Sequence, residues 1–473
     1  MGHHYIKEVK DEKFVFSTTS KIIVGAIFVV GLVLAFIGYQ GIGHDDHGDH
    51  GDHHAKVEHL ENSLPVHAVS NNHGEDHGDH HAEEGHGEHG HGEHAEEHGA
   101  GHHEVAGGPL ERFWANFLMN AYYFLLFGIG ALFFWGLNYV ANAGWATLIK
   151  KIVEAISSYL WFGLATILVV LILGRDYLYQ WVRYFKSGIT ETDPGYDKII
   201  EGKSWILNDG MLLIGIPAFI GIWILFREIL KRFSKKEDAE GGTTYFNKSI
   251  KFSAGFIAFF AVSFSIMSWV VMMSIDVHWF STIYSVYNFA IAFVTTMTVI
   301  AFFTLYLKSK GYLEVVSDEV IHDIGKFMFA FSIFWAYIWL AQYLLIWYAN
   351  LPEETMYYAA RLTEQYKPMF LVNIFMCFAL PFLILMMRNA KRKPIVLLVA
   401  GTIILAGHWL DLYLMIMPGV VGVNAEIGML EIGMTMAFAG IFIFWVLTAL
   451  SRDNLIPKNH PYLLESANHD VGV

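Results

Sequence analysis

One cysteine, Cys377, stands in 473 residues. A lone thiol excludes an intrachain disulfide, a four-cysteine iron–sulfur site and a CxxCH haem attachment. If electrons pass through the system in which this chain works, a partner carries them onward. Positive charge is also scarce: Lys and Arg number 31 against 45 Asp and Glu, and no basic face for nucleic acid exists. Histidine is almost missing from the apolar part. Of 25 histidines, 18 fall between His44 and His103, and outside that loop and the tails only His278, His322 and His408 remain. A two-haem membrane cytochrome b usually needs four buried histidines, and a haem–copper oxidase needs more. One haem between His278 and His408 stays open, and an optical spectrum decides it.

Apolar residues are what the sequence has in excess, at 54% of the whole. Runs of membrane-crossing length, about 18 residues or more, occur near 22–39, 118–140, 152–174, 209–230, 252–274, 286–307, 326–348, 369–388, 395–415 and 430–450. Trp, Tyr, Lys and Arg flank them, as at membrane–water boundaries. The first run lacks a small-residue cleavage site and reads as an uncleaved anchor. The expected fold is an all-α polytopic membrane protein of about ten transmembrane helices.

Lys and Arg concentrate in alternate loops, 22 against 9, when the N-terminus is placed inside. By the positive-inside rule both termini are cytoplasmic and the number of spans is even. The expected organisation is 1–43 as cytoplasmic N-terminus and first helix, 44–109 as an outer loop, 110–452 as a transmembrane core, and 453–473 as a cytoplasmic tail. The net charge of −14 sits almost wholly in the loop, where residues 44–104 carry 16 acidic residues and a single Lys56.

That loop is made chiefly of His, Gly, Asp, Glu and Ala, which cannot bury a core, so disorder is expected. Imidazoles beside carboxylates suit Zn, Ni or Cu, which makes His77, His80, His81, His86, His89, His91 and His94 metal candidates. Their spacing is irregular, and a solvated acidic loop with weak metal affinity is the competing reading. The main activity is expected in the membrane core.

An ionisable group at the centre of a span costs roughly 2.5–3.5 kcal/mol, so each needs a reason. His408 and Asp411 are three residues apart and share one helix face; such a pair can hold a proton between them or serve as an interhelical hydrogen bond. Asp276 and His278 fall at the outer end of the fifth run. Gln342 lies in the seventh, which ends near Glu353, and Glu431 opens the tenth. His322 is expected in an inner loop beside Asp323. The inner halves offer mainly Asn138, Glu154 and Glu228. Oxidising a lipid-soluble quinol removes two protons with two electrons, which calls for a base near each ring hydroxyl and a polar exit. Polar groups that penetrate from the outer side, as Gln342, His408 and Asp411 do, have that form.

The segments SIDVHWFSTIYSVYNF (274–289), GKFMFAFSIFWAYIWLAQYLLIWYANLPEE (325–354) and GHWLDLYLMIMPG (407–419) resemble the second NrfD-like, polysulfide-reductase-like membrane subunit of bacterial alternative complex III. The resemblance covers about residues 110–455. It implies a pair of four-helix bundles with flanking helices, in a quinol:cytochrome c oxidoreductase of a respiratory chain in the inner membrane. It also implies partners: multihaem cytochrome c subunits, an iron–sulfur molybdopterin-like subunit, a second NrfD-like subunit and lipids. On this reading the chain covalently holds no cofactor itself. Quinol (menaquinol or ubiquinol) binding, proton conduction or both fall to it, with Asp276, His278, Gln342, Glu353, His408, Asp411 and Glu431 as the candidate residues. In that family the sister subunit is the better candidate for the main quinol site. Two features depart from the pattern: Val277 stands where proline is common, and the histidine loop is not general. The alternative from another class is a secondary metal-ion transporter with the loop as a capture arm, which requires polar groups through both halves of the membrane.

Overall fold

The computed structural model describes residues 11–42 and 107–469. The histidine-rich loop, with His77, His80, His81, His86, His89, His91 and His94 and the expectation of disorder, lies outside them. Ten helices among the described residues are long and apolar enough to cross a membrane. They are α1 (Thr18–Gly41), α2 (Pro109–Val140), α3 (Gly144–Leu178), α4 (Met211–Glu240), α5 (Thr244–Ile275), α6 (Tyr284–Ser309), α7 (Asp318–Ala349), α8 (Lys367–Leu385), α9 (Pro394–Val420) and α10 (Met429–Leu450). The fold is all-α and polytopic, and α1 belongs to the same compact unit as the other nine.

Several helix ends run past the expected apolar runs, among them the starts of α2, α3, α5 and α7 and the end of α4, because polar residues continue the helix. α2 begins at Pro109, since Pro suits the first turn and Arg112 finds Glu431 of α10. α7 begins at Asp318, where the Ser317 hydroxyl caps the Val320 amide and Asp318 and Glu319 occupy the favourable first turn. His322 and Asp323 therefore lie on α7 and not in a loop, a correction to the sequence reading.

α2 and α6 form the hub. In each, 89% of the most apolar stretch is buried, against 17% in α1. Inside lipid, apolar side chains gain nothing from leaving water, so helices associate through close packing and buried polar contacts. The hub helices accordingly bury Asn116, Asn120, Asn288, Thr295, Thr296 and Thr298. The same rule fixes α1 to α10. Gly31 meets Gly433 and Ala437, Gly433 meets Ala35, Gly38 packs on Leu430 and Gly440 on Phe28; a Cβ at Gly31 or Gly433 would stand 2.4 or 2.3 Å from the backbone nitrogen of Ala437 or Ala35.

Lys13 and Asn454 form an antiparallel bridge, and the Leu455 amide donates to the Glu12 carbonyl at 2.8 Å. Both tails thus lie at one end of the bundle, here called the tail end, as an even number of crossings requires. At the other end, the far end, three π turns follow one another in space: Val170–Gly174, Met211–Gly215 and Ser268–Met272. A π turn disturbs the regular i→i−4 ladder, and the Tyr179 hydroxyl donates to the Val271 carbonyl at 2.9 Å.

Candidate functional site

α6, α7, α8 and α9 converge on one buried centre in the far half of the bundle. His408 is 0% exposed and Asp411 4%. Their shared face of α9 aims both side chains at α6–α8, with His408 Nδ1 3.7 Å from Asp411 Oδ2. Asp411 Oδ1 accepts from the Tyr287 hydroxyl at 2.6 Å, and Oδ2 accepts from Trp335 Nε1 at 2.9 Å. No Lys or Arg pairs with it among the described residues. His408 Nδ1 lies 3.6 Å from Cys377 Sγ, the Trp335 ring meets the imidazole edge-on, and His408 Nε2 has no hydrogen-bond partner. Close approach of α8 and α9 requires Gly407, where a Cβ would meet Cys377 Sγ at 2.9 Å.

Beside this centre a cavity of about 20 Å³ is lined by Tyr287, Gln342, Tyr358, Arg361, Asn373 and Asp411. That is room for about one water molecule and not for a quinone ring. Gln342 Nε2 donates to the Tyr358 hydroxyl at 3.4 Å, and its Oε1 has no partner. The structure therefore brings Gln342, His408 and Asp411 into one neighbourhood.

Asp276 stands outside the cavity lining, behind Arg361. It pairs at 2.8 Å with Arg361, a fully enclosed arginine on the short helix Pro352–Arg361. The reason for that arginine lies in α9. Pro418 has no N–H, so the carbonyl of Leu414, four residues earlier, loses its helical donor. Arg361 Nε donates to it at 2.8 Å, while Nη2 reaches the Met415 carbonyl at 3.0 Å. Gly419 leaves room for Asp276, whose Oδ1 would stand 2.9 Å from a Cβ there. The guanidinium lies 3.4 Å over the Tyr357 ring, which stacks on Trp279 at 3.9 Å. Burial opposes the charge on Arg361, yet Tyr357 and Asp276 outweigh it and hold its pKa above the usual value.

The remaining sequence candidates lie elsewhere. His278 is two residues from Asp276 but turns to the surface, 46% exposed, with Nε2 2.6 Å from Asp197. Burial opposes ionisation of Asp197, but the hydrogen bonds from His278 and from the Ile200 and Ile199 amides prevail and lower its pKa. Glu353 is exposed in the first turn of the short helix. Glu431 is 0% exposed and saturated: it accepts from Arg112 and Asn116 and closes a capping box on the Gly428 amide. Asp276 and His278 thus have different partners, and neither Glu353 nor Glu431 lines the cavity.

Sequence reading missed Arg361, Tyr287 and Trp335. Pro418 within an apolar helix was the available signal for Arg361, because its orphaned carbonyl needs a donor. Reading also understated the tail half. Glu154 accepts from Lys231 at 2.7 Å and Ser234 at 2.5 Å, and Lys151 stands 3.7 Å away. Glu237 accepts from Tyr139 at 3.0 Å and Lys150 at 3.3 Å, with His460 Nε2 3.5 Å distant. Burial, then Lys150 and Lys151, push the His460 pKa down to about 3.

Cys377 Sγ, His408 Nδ1 and Asp411 Oδ2 lie within 4.8 Å of one another, a spacing that a metal ion fits. Two of these donors already have protein partners, since Asp411 accepts from Tyr287 and Trp335, and Asn373 lies 3.6 Å from Cys377 Sγ. The arrangement suits a proton acceptor held by neutral donors at least as well as a ligand set. No protein-family model matches the chain, and no curated protein is significantly similar to it.

Proposed function

We propose that this chain is the membrane subunit of an alternative complex III-type quinol:cytochrome c oxidoreductase that handles protons, with Asp411 and His408 as its working groups. The single observation that carries this reading is the setting of Asp411: buried, held by two neutral donors, without a cation, and open to a water-sized cavity. Each carboxylate oxygen of Asp411 keeps a lone pair beyond the one its neutral donor uses, so a proton can be taken up without losing either donor. His408 offers a second acceptor nearby through Nδ1, the nitrogen that faces Asp411 Oδ2. The 3.7 Å between them exceeds a hydrogen bond, so transfer runs through a bridging water or a small shift. The cavity leads from Asp411 to Arg361, which pairs with Asp276 outside the lining.

Within the same reading, the core is the NrfD-like pair of bundles, both termini are cytoplasmic, and the histidine loop is periplasmic. Haem c and iron–sulfur clusters belong to partner subunits, and quinol is oxidised against a sister NrfD-like subunit. Size favours that division: the cavity at Asp411 does not fit a quinone ring. A larger apolar groove of about 720 Å³, lined by Tyr123, Leu405, Trp409 and Thr435 among others, lies on the opposite face of α9. Against the transporter stands the tail half, where the buried Glu154 and Glu237 are occupied by lysines and offer no free carboxylate to a metal ion.

The test is Asp411→Asn, His408→Ala and their combination in the complex purified with its partners. Expected are at least a tenfold fall in quinol-dependent cytochrome c reduction, within the range for loss of a general base, and rescue by Asp411→Glu. Undiminished turnover and proton release by an assembled double variant would refute the proposal.

A further inference from the structure

A second cleft, of about 490 Å³, opens at the tail end between α3, α4 and α10. Lys151, Arg227, Lys231, Lys235 and Arg452 line it, against Glu154, Glu228 and Asp453. Most of these charges are spent on one another. Glu154 and Asp453 share Lys231 at 2.7 Å each, Lys151 gives its shortest bond, 2.6 Å, to Asp238 outside the lining, and Arg227 pairs with Glu228. The surplus falls on the rim. Lys235 is 61% exposed and only 3.6 Å from an Asp453 that Lys231 already holds, and Arg452 has no carboxylate partner among the described residues. Deeper in, Arg227 is 8% exposed and its Nε finds no acceptor.

The cleft is also shaped for the membrane boundary. Trp161 and Trp445 border it with their N–H groups tied to polar partners, Glu228 and Ser158, at 3.1 Å. Tryptophans so placed mark the headgroup level. Leu450, Phe444 and Ala449 supply an apolar wall beside the cations. A basic pocket between transmembrane helices, at headgroup depth and with an apolar wall, matches the two-part chemistry of a lipid whose phosphate is anionic and whose chains are not.

We infer that this cleft binds the phosphodiester headgroup of an anionic phospholipid from the tail-end leaflet, with Lys235 and Arg452 receiving the phosphate. The lipid ties the cytoplasmic ends of α4 and α10 together, and this site is independent of the proton-handling one.

The experiment uses the full chain, purified in neutral detergent with its partners and stripped of lipid. Retention of added phosphatidylglycerol is measured by native mass spectrometry beside phosphatidylcholine and inorganic phosphate. The exposed pair Lys235→Gln/Arg452→Gln is compared with wild type and with Arg183→Gln at the far end. Expected is selective retention of phosphatidylglycerol, weakened about fivefold for each cation removed and unchanged by Arg183→Gln. Equal retention of phosphatidylcholine, or no loss in the double variant, overturns the site. Equal occupancy by inorganic phosphate alone overturns the lipid assignment and leaves a general anion site.

Discussion

Two sites in this bundle bury carboxylates in opposite ways. At the tail end Glu154 and Glu237 face lysines, a serine and a tyrosine. In the far half Asp411 faces a tyrosine, a tryptophan and an unsaturated histidine. Fully paired charges fix geometry, because removing one partner strands the other in a low dielectric. A carboxylate held by neutral donors can gain or lose a proton without losing its partners. The comparison therefore separates a clamp from the proposed relay, although both look like intramembrane acids in the sequence.

The largest effect is expected from breaking the clamp. Glu154→Ala should cost about 3–5 kcal/mol of stability, read as a lowered unfolding midpoint in detergent. Asp411→Asn should change stability by less than about 1 kcal/mol, since Trp335 can still donate to the amide oxygen while the amide N–H donates to the Tyr287 hydroxyl; equal losses at the two sites would erase the distinction. Arg361→Met comes next, at about 3 kcal/mol, because it leaves Asp276 and the Leu414 carbonyl without donors. Limited proteolysis should then open the segment around residues 350–366 first. A Gly433→Val substitution should push α1 from α10, detected as lost crosslinking between cysteines introduced on the two helices, with α2–α9 unaffected.

Smaller effects follow pH. Folded His460 takes a proton only near pH 3, whereas unfolded His460 does so near 6.5. Between those values the unfolded state binds the extra proton, so stability should fall as pH drops from about 6.5 toward 3. His460→Gln should flatten that slope in thermal unfolding measured across the window. Least of all, His278→Ala should cost under about 1 kcal/mol, as exposed pairs do, and leave quinol-dependent activity of the complex unchanged. A large loss of activity would return His278 to the site.

Hydropathy made the helices legible because lipid forces each span to satisfy its own backbone hydrogen bonds, so length and apolarity suffice. The His408–Asp411 pair was legible for a similar reason: spacing of three on one helix needs no tertiary information. Asp276 and His278 were misleading neighbours. α5 ends at Ile275, so the chain there is no longer helical and the two side chains part.

By itself, the sequence determined ten helices of membrane-crossing length, the paired tails they imply, and one helix face that carries both His408 and Asp411. Those are local properties, set by composition and by the 3.6-residue period. Only the tertiary structure decided which acids are clamped by lysines, which is held by neutral donors, and that Arg361 answers the carbonyl left open by Pro418. Apart from Lys151 and Glu154, one helical turn apart, such pairings join residues from 53 to 124 positions apart, as Arg361 to Leu414 and Tyr287 to Asp411 do. No local pattern encodes them, because burial and partner choice arise only when the helices pack.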